Sequence, residues 1–181
     1  MKRWFASLFA ALGLGAAAEA QPAGLDPENL LYIDLPEGRV VIEMRPDKAP
    51  NHVERIKTLA RQGFYDGLIF HRVIDGFMAQ TGDPQGTGQG GSDLPDLTAE
   101  FNDLRHLRGT ASMARTNDPN SANSQFFICF QPAAFLDGQY TAWGRVIEGM
   151  RAVDAIARGE PPAEPTVIER VRVAADVEEG A

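Results

Sequence analysis

The stretch Phe70-His71-Arg72-Val73-Ile74-Asp75-Gly76-Phe77-Met78-Ala79-Gln80-Thr81-Gly82-Asp83 decides how the rest of the chain is read. Leu68–Ile74 and Phe77–Thr81 are β-rich runs, and Asp75-Gly76 between them is turn chemistry, so the spacing predicts two short strands. A second stretch of the same kind, Ser124-Gln125-Phe126-Phe127-Ile128-Cys129-Phe130, is apolar and strand-like along most of its length. Together the two stretches hold one arginine, glutamine and several large apolar side chains. Neither sets a nucleophile beside a base or clusters metal ligands.

Outward from these stretches the chain reads as one mainly β domain. Asn29–Leu35 and Arg39–Met44 flank the turn Pro36-Glu37-Gly38 and predict a hairpin. Asp47–Gln62 predicts a helix, with Pro50 near its start, Val53, Ile56, Leu59 and Ala60 at helical spacing, and Gly63 placed to end it. A long glycine-rich loop, read as a flexible surface loop, follows from Gly82 to about Asp96. Further strands are predicted around Thr98–Phe101, Thr110–Met113, Gln125–Phe130 and Thr141–Val146, a second helix over Met150–Ala157, and a closing strand over Thr166–Ala174. Many short strands, irregular loops and two well-separated helices predict a closed β-barrel with a helix over each open end, an arrangement that removes free strand edges from a soluble monomer.

The 181 residues suffice for one domain with a sizeable core, and an apolar fraction of 44% is ordinary for a folded protein. The first 20 residues stand apart. Lys2 and Arg3 precede the uncharged apolar run Trp4–Ala18, and Ala18-Glu19-Ala20 is a small-x-small site, so residues 1–20 read as a cleavable signal peptide with cleavage before Gln21. The run is short for a membrane span, which needs about 20 residues. The expectations are a flexible lead-in over 21–28, a folded domain over 29–174, a frayed tail over 175–181, and a periplasmic or secreted protein with no membrane attachment after cleavage. Cleavage takes the basic count from 17 to 15 and the acidic count from 25 to 24, a formal charge of −9, which argues against a nucleic-acid partner. Cys129, the single cysteine, has no internal disulfide partner and reads as a small buried hydrophobe.

A fixed cation beside an apolar, proline-sized hole suits a reaction that breaks no bond, and rotation about an X-Pro peptide bond is one. Arg72 is permanently charged and rigidly forked, but composition alone does not separate a catalytic arginine from one in a structural ion pair. Phe77, Met78 and Phe127, with Leu136 at the edge, are candidate pocket walls, though each taken singly fits a plain core position. The two stretches resemble the signature segments of the cyclophilin peptidyl-prolyl isomerases, and the resemblance runs from about Leu30 to Val173. It implies an eight-stranded antiparallel barrel capped by two helices, with Arg72 as the catalytic arginine and Phe77, Met78, Phe127 and Leu136 as the proline pocket. It also implies that Gln80 holds the substrate backbone beside Arg72, that Ala114 borders the groove, that the loop Asn120–Ser124 lines it, and that no cofactor or metal is needed. Proline-containing polypeptides are the implied partners.

Departures from that family pattern are also visible. Phe135 stands where many eukaryotic members carry tryptophan, which puts cyclosporin binding in doubt and predicts weak affinity. Tyr140 stands in the place of a pocket histidine, and is expected to close the pocket with its hydroxyl available. Arg115 replaces a frequent asparagine, and one extra residue lies between Ala114 and Pro119. Gly82–Gly91 has the glycines of a phosphate loop but no lysine and no following helix. His52, His71 and His106 are too scattered to suggest a metal site, and His71 is expected on the strand face opposite Arg72. Two other readings stand beside the isomerase: an idle module that binds proline segments, and a barrel hydrolase or metal protein.

Overall fold

The computed structural model describes residues 24–177, so the proposed signal peptide, residues 21–23 of the lead-in and residues 178–181 of the expected tail lie outside the described residues. Eight strands form one antiparallel sheet: β1 (Leu30–Leu35), β2 (Gly38–Met44), β3 (Arg72–Ile74), β4 (Met78–Thr81), β5 (Thr110–Met113), β6 (Phe126–Cys129), β7 (Ala142–Glu148) and β8 (Arg170–Val173). Their order across the sheet is β3-β4-β6-β5-β7-β2-β1-β8. The sheet curls around a core that includes Ile33, Ile42, Phe126, Ile128, Trp143 and Val171, all essentially inaccessible. Helix α1 (Pro50–Arg61) packs against β8, burying Val53, Ile56 and Leu59, and α2 (Met150–Asp154) lies against β2.

The expected closed barrel is corrected by the ends of this sheet. β3 and β8 share no ladder, and the sheet is an open, curled half-barrel. The chain before β3 instead meets the chain before β8 through one isolated bridge, Ile69–Val167, with Phe70 N–H donating to the Thr166 carbonyl and Ile168 N–H to the Leu68 carbonyl. The expected strand at Thr98–Phe101 is likewise not one. Side chains take its backbone donors: Ala99 N–H donates to Asn120 Oδ1 and Glu100 N–H to Thr141 Oγ1. The second helix stops at Asp154 rather than Ala157, where the Arg158 guanidinium binds the Asp154 and Ile156 carbonyls.

Two strands are shorter than expected, Arg72–Ile74 in place of Leu68–Ile74 and Arg170–Val173 in place of Thr166–Ala174, and the first helix begins at Pro50 rather than Asp47. Pro50 opens α1, and in place of a capping residue the Glu100 carboxylate accepts from the N–H groups of Asn51 and His52. Gly63 follows the helix in the left-handed region, φ +67°. Near the termini, Asp26 caps a 3-10 turn at Pro27–Asn29, and a second such turn at Ala174–Asp176 is tied to α1 by Asp176 and Arg61.

Candidate active site

Strand register builds the site. Arg72 faces Gln80 across β3–β4, Gln80 faces Phe127 across β4–β6, and Phe127 faces Ser112 across β5–β6. Directly opposed residues in an antiparallel ladder share a face, so these four side chains form one row. Their neighbours Val73, Ala79, Ile128 and Ala111 point the other way and belong to the barrel core. The site therefore lies on the outer face of the sheet. Met78, Phe127, Cys129, Ala133 and Leu136 make a separate buried cluster there, with Phe77, Ala114 and Tyr140 packed around it. β6 is buried on both faces for this reason, between the core and the pocket floor.

All nine residues anticipated for the site line one open cleft of about 820 Å³: Arg72, Phe77, Met78, Gln80, Ala114, Phe127, Phe135, Leu136 and Tyr140. The apolar floor is Met78, Phe127 and Leu136, each at least 94% buried. Phe135 stands at the rim, 70% exposed, tilted against Phe77 with ring centroids 5.5 Å apart. Tyr140 meets Phe127 edge-on at 6.0 Å, and the Arg115 guanidinium lies 4.4 Å over the Tyr140 ring. The two departures Arg115 and Tyr140 thus form a cation–π pair, anchored where Arg115 donates to the Gln139 carbonyl. An adjoining cleft of about 620 Å³ is lined in part by Ser121 and Asn123, from the loop expected to line the groove.

Arg72 both lines the cleft and takes part in an ion pair. Its side chain is 44% exposed in the cleft, and its Nε donates to Glu160 Oε1 at 3.0 Å. Nη1 donates to Gln80 Oε1 at 3.3 Å; Gln80 Nε2 donates to Gln125 Oε1 at 2.9 Å; and Gln125 Nε2 donates to the Gly88 and Gly90 carbonyls. Gln125 and Glu160 were not singled out in the sequence. Gln125 lies within the second signature stretch and was within reach, whereas no local pattern links Glu160 to Arg72.

The glycine-rich loop wraps around one carboxylate. Asp83 accepts from the N–H groups of Gln85, Thr87, Gly88 and Gly90. Burial pushes the Asp83 pKa up, but these donors outweigh it and hold the group below the usual carboxylate range. A side chain on Gly90 would collide with Asp83 Oδ1, so the turn requires glycine. Residues Gly86–Gln89 of the loop line the cleft. His71 is buried near it, with burial holding its pKa below the ordinary value against the pull of Asp83.

A further cluster has the order of a hydrolase relay. His106 Nδ1 lies 2.9 Å from Asp137 Oδ1, and its Nε2 lies 2.9 Å from Ser112 Oγ. Ser112 and His106 are buried, with the imidazole stacked 6.3 Å from Phe127. Burial keeps the His106 pKa below normal despite Asp137. A hydroxyl sealed beneath the pocket floor cannot meet a substrate, so the cluster props Phe127. Among the described residues no group of three or more His, Cys, Asp and Glu is gathered as a metal site, and no helix is long and apolar enough to cross a membrane. Cys129 is fully buried, its thiol pKa pushed up to about 12 by burial.

A family model described as cyclophilin type peptidyl-prolyl cis-trans isomerase/CLD matches residues 30–173. The chain belongs to the cyclophilin family. It is 52% identical over 165 residues to a probable peptidyl-prolyl cis-trans isomerase of Brucella suis, a match covering 85% of this chain and 83% of the relative. An isomerase-like 1 protein of Aspergillus fumigatus is 39% identical, with 83% and 96% covered. Among solved structures, a cyclophilin from Hirschia baltica superposes with a TM-score of 0.78 at 33% identity, covering 84% of this chain and 76% of that one. A cyclophilin-type isomerase from Cryptosporidium parvum, crystallised in the presence of the dipeptide Ala-Pro, gives 0.74 at 28% identity, with 80% and 98% covered. The match spans the whole curled sheet and both helices of this cyclophilin.

Proposed function

We propose that this cyclophilin accelerates rotation about X-Pro bonds in unfolded or flexible polypeptides, and so assists their folding, by binding the twisted amide more tightly than either planar form. The observation that carries the reading is the row Arg72–Gln80–Phe127, which sets a permanent cation, an amide and an apolar floor side by side in one cleft. The uncatalysed barrier is about 18–20 kcal/mol, and rotation takes tens to hundreds of seconds. Shortening ~100 s to ~1 ms requires about 7 kcal/mol. When the amide twists, the prolyl nitrogen loses conjugation and becomes a better acceptor, so a guanidinium aimed at it stabilises the transition state selectively. In this reading Phe77, Met78, Phe127 and Leu136 take the proline ring. Gln80 holds the substrate backbone, Ala114 leaves room beside it, and Tyr140 closes the far side with Phe135 at the rim. Rotation breaks no bond, so no cofactor enters. The Ala-Pro dipeptide used with the Cryptosporidium relative supports proline-containing peptides as the partner class. An NMR exchange or protease-coupled assay on an X-Pro peptide tests the proposal: purified protein should accelerate exchange, whereas peptide binding without acceleration would make the fold an idle proline-binding module.

We also propose that the protein acts outside the cytoplasm, released from its signal peptide into the periplasm or medium. This rests on Lys2 and Arg3, the run Trp4–Ala18 and the site Ala18-Glu19-Ala20. Intact-mass analysis of protein from the periplasmic fraction should give an N-terminus at or near Gln21; a full-length, membrane-bound product would contradict it.

A further inference from the structure

Arg72 is gripped on two edges. Gln80 takes Nη1 at 3.3 Å from the neighbouring strand, and Glu160 takes Nε at 3.0 Å from a segment 88 residues further along the chain. Nη2 has no partner among the described residues.

The segment carrying Glu160 is built onto the free edge of β3. Gly159 and Val73, the residues beside Glu160 and Arg72, exchange two backbone hydrogen bonds of 2.9 and 2.8 Å. Gly159 has φ +143°, and a Cβ there would lie 2.6 Å from Pro162 Cα, so the approach requires glycine. On its other side Arg158 lies 4.2 Å over the Phe130 ring and donates to Asp75 in the β3–β4 turn. Glu160 is therefore delivered to Arg72 by a locked backbone. The two side chains remain 44% and 55% exposed, and an ion pair so wet adds little to stability. Its consequence lies in geometry. A long side chain held only by one 3.3 Å contact can turn about that contact, whereas a planar guanidinium held at both Nε and Nη1 has its plane fixed.

We propose that Glu160 is a positioning residue for Arg72, turning the unpartnered Nη2 edge toward the twisting amide. This rests on the catalytic reading of Arg72. The test measures kcat, KM, thermal unfolding and the NMR order parameter of the Arg72 Nε–H for Glu160→Ala and Glu160→Gln, and repeats Glu160→Ala in an Arg72→Lys background. Misplacing a reacting group by 1 Å can cost ~100-fold, so Glu160→Ala, which loosens Arg72 without removing it, should lower kcat about tenfold. KM should stay within about twofold, since uniform binding is untouched. The unfolding midpoint should not move, and the order parameter should fall. Glu160→Gln keeps an acceptor oxygen and should restore most of kcat. In the Arg72→Lys background Glu160→Ala should change nothing further. Unchanged kcat or an unchanged order parameter in Glu160→Ala would overturn the proposal, as would failure of Gln to rescue. If instead Arg72→Lys alone keeps full kcat, the catalytic reading of Arg72 itself fails.

Discussion

Phe127→Ala separates pocket from fold in one substitution. The ring is 95% buried, stacked near His106 and edge-on to Tyr140, and it forms the floor on which a proline would sit. Truncating a buried phenylalanine to alanine costs about 3–5 kcal/mol where the cavity stays closed. Here one side opens to the cleft and water can enter, so about 2–3 kcal/mol is expected, including roughly 0.5–1.5 kcal/mol from the lost aromatic pair. For a domain of this size that lowers the unfolding midpoint by about 6–10 °C. Peptide affinity falls as well. A prolyl ring buries about three methylenes worth ~0.8 kcal/mol each, and with Met78, Leu136 and Tyr140 still in place about half is lost, a weakening of roughly 5–10-fold. Calorimetry and peptide titration by NMR read the two effects independently. A destabilised variant that binds peptide normally would refute Phe127 as the pocket floor; unaltered stability would refute the packing argument.

Three further outcomes are expected. His52, His71 and His106 are buried with pKa values held below the ordinary 6.5, chiefly by burial, so the unfolded chain binds more protons. Stability is then full above about pH 6.5 and is lost as pH falls below it, by up to about 1.4 kcal/mol per pH unit for each histidine that stays neutral when folded; chemical denaturation at pH 7 and pH 5.5 that gives equal stability would contradict this. Phe135 is 70% exposed at the rim, so Phe135→Trp should leave stability within about 0.5 kcal/mol while tightening cyclosporin inhibition by roughly 1–3 kcal/mol through the added indole N–H; nanomolar inhibition of the unaltered protein would show the position to be unimportant. Asp83→Ala should loosen the loop Gln85–Gly90, seen as faster amide exchange at Thr87, Gly88 and Gly90, which lose their shared acceptor; unchanged exchange would contradict the anchoring role.

How far the sequence could be read depended on the range of the interaction. Thr110–Met113 and the hairpin around Pro36-Glu37-Gly38 were legible because period-2 apolar runs and turn residues are local signals. Pro50 and Gly63 bracketed α1 for the same reason. Closure of the barrel was not legible, because alternation assigns faces to a strand without saying whether the first and last strands meet. Thr98–Phe101 looked like a strand, yet the side chains of Asn120 and Thr141 took its donors. In the site, Arg72, Gln80 and Phe127 came from two short stretches, and the turn at Asp75-Gly76 sets the Arg72–Gln80 register. Glu160 depends on a backbone bridge between segments more than 80 residues apart, and the buried His106–Ser112 contact depends on packing beneath the floor, neither of which leaves a pattern along the chain.

The most direct test of the account is exchange of an X-Pro peptide at saturating concentration by Arg72→Ala, with Arg72→Lys beside it and thermal unfolding followed for both. Removing one charge-assisted donor costs about 10²–10³ in rate in a closed site, and the lower end applies here because the Arg72 side chain is 44% exposed before substrate covers it. The account predicts a folded Arg72→Ala protein that still binds peptide but has lost about 100-fold in exchange rate, with lysine recovering only part because it lacks the planar fork. A folded Arg72→Ala protein with near-normal exchange would contradict it.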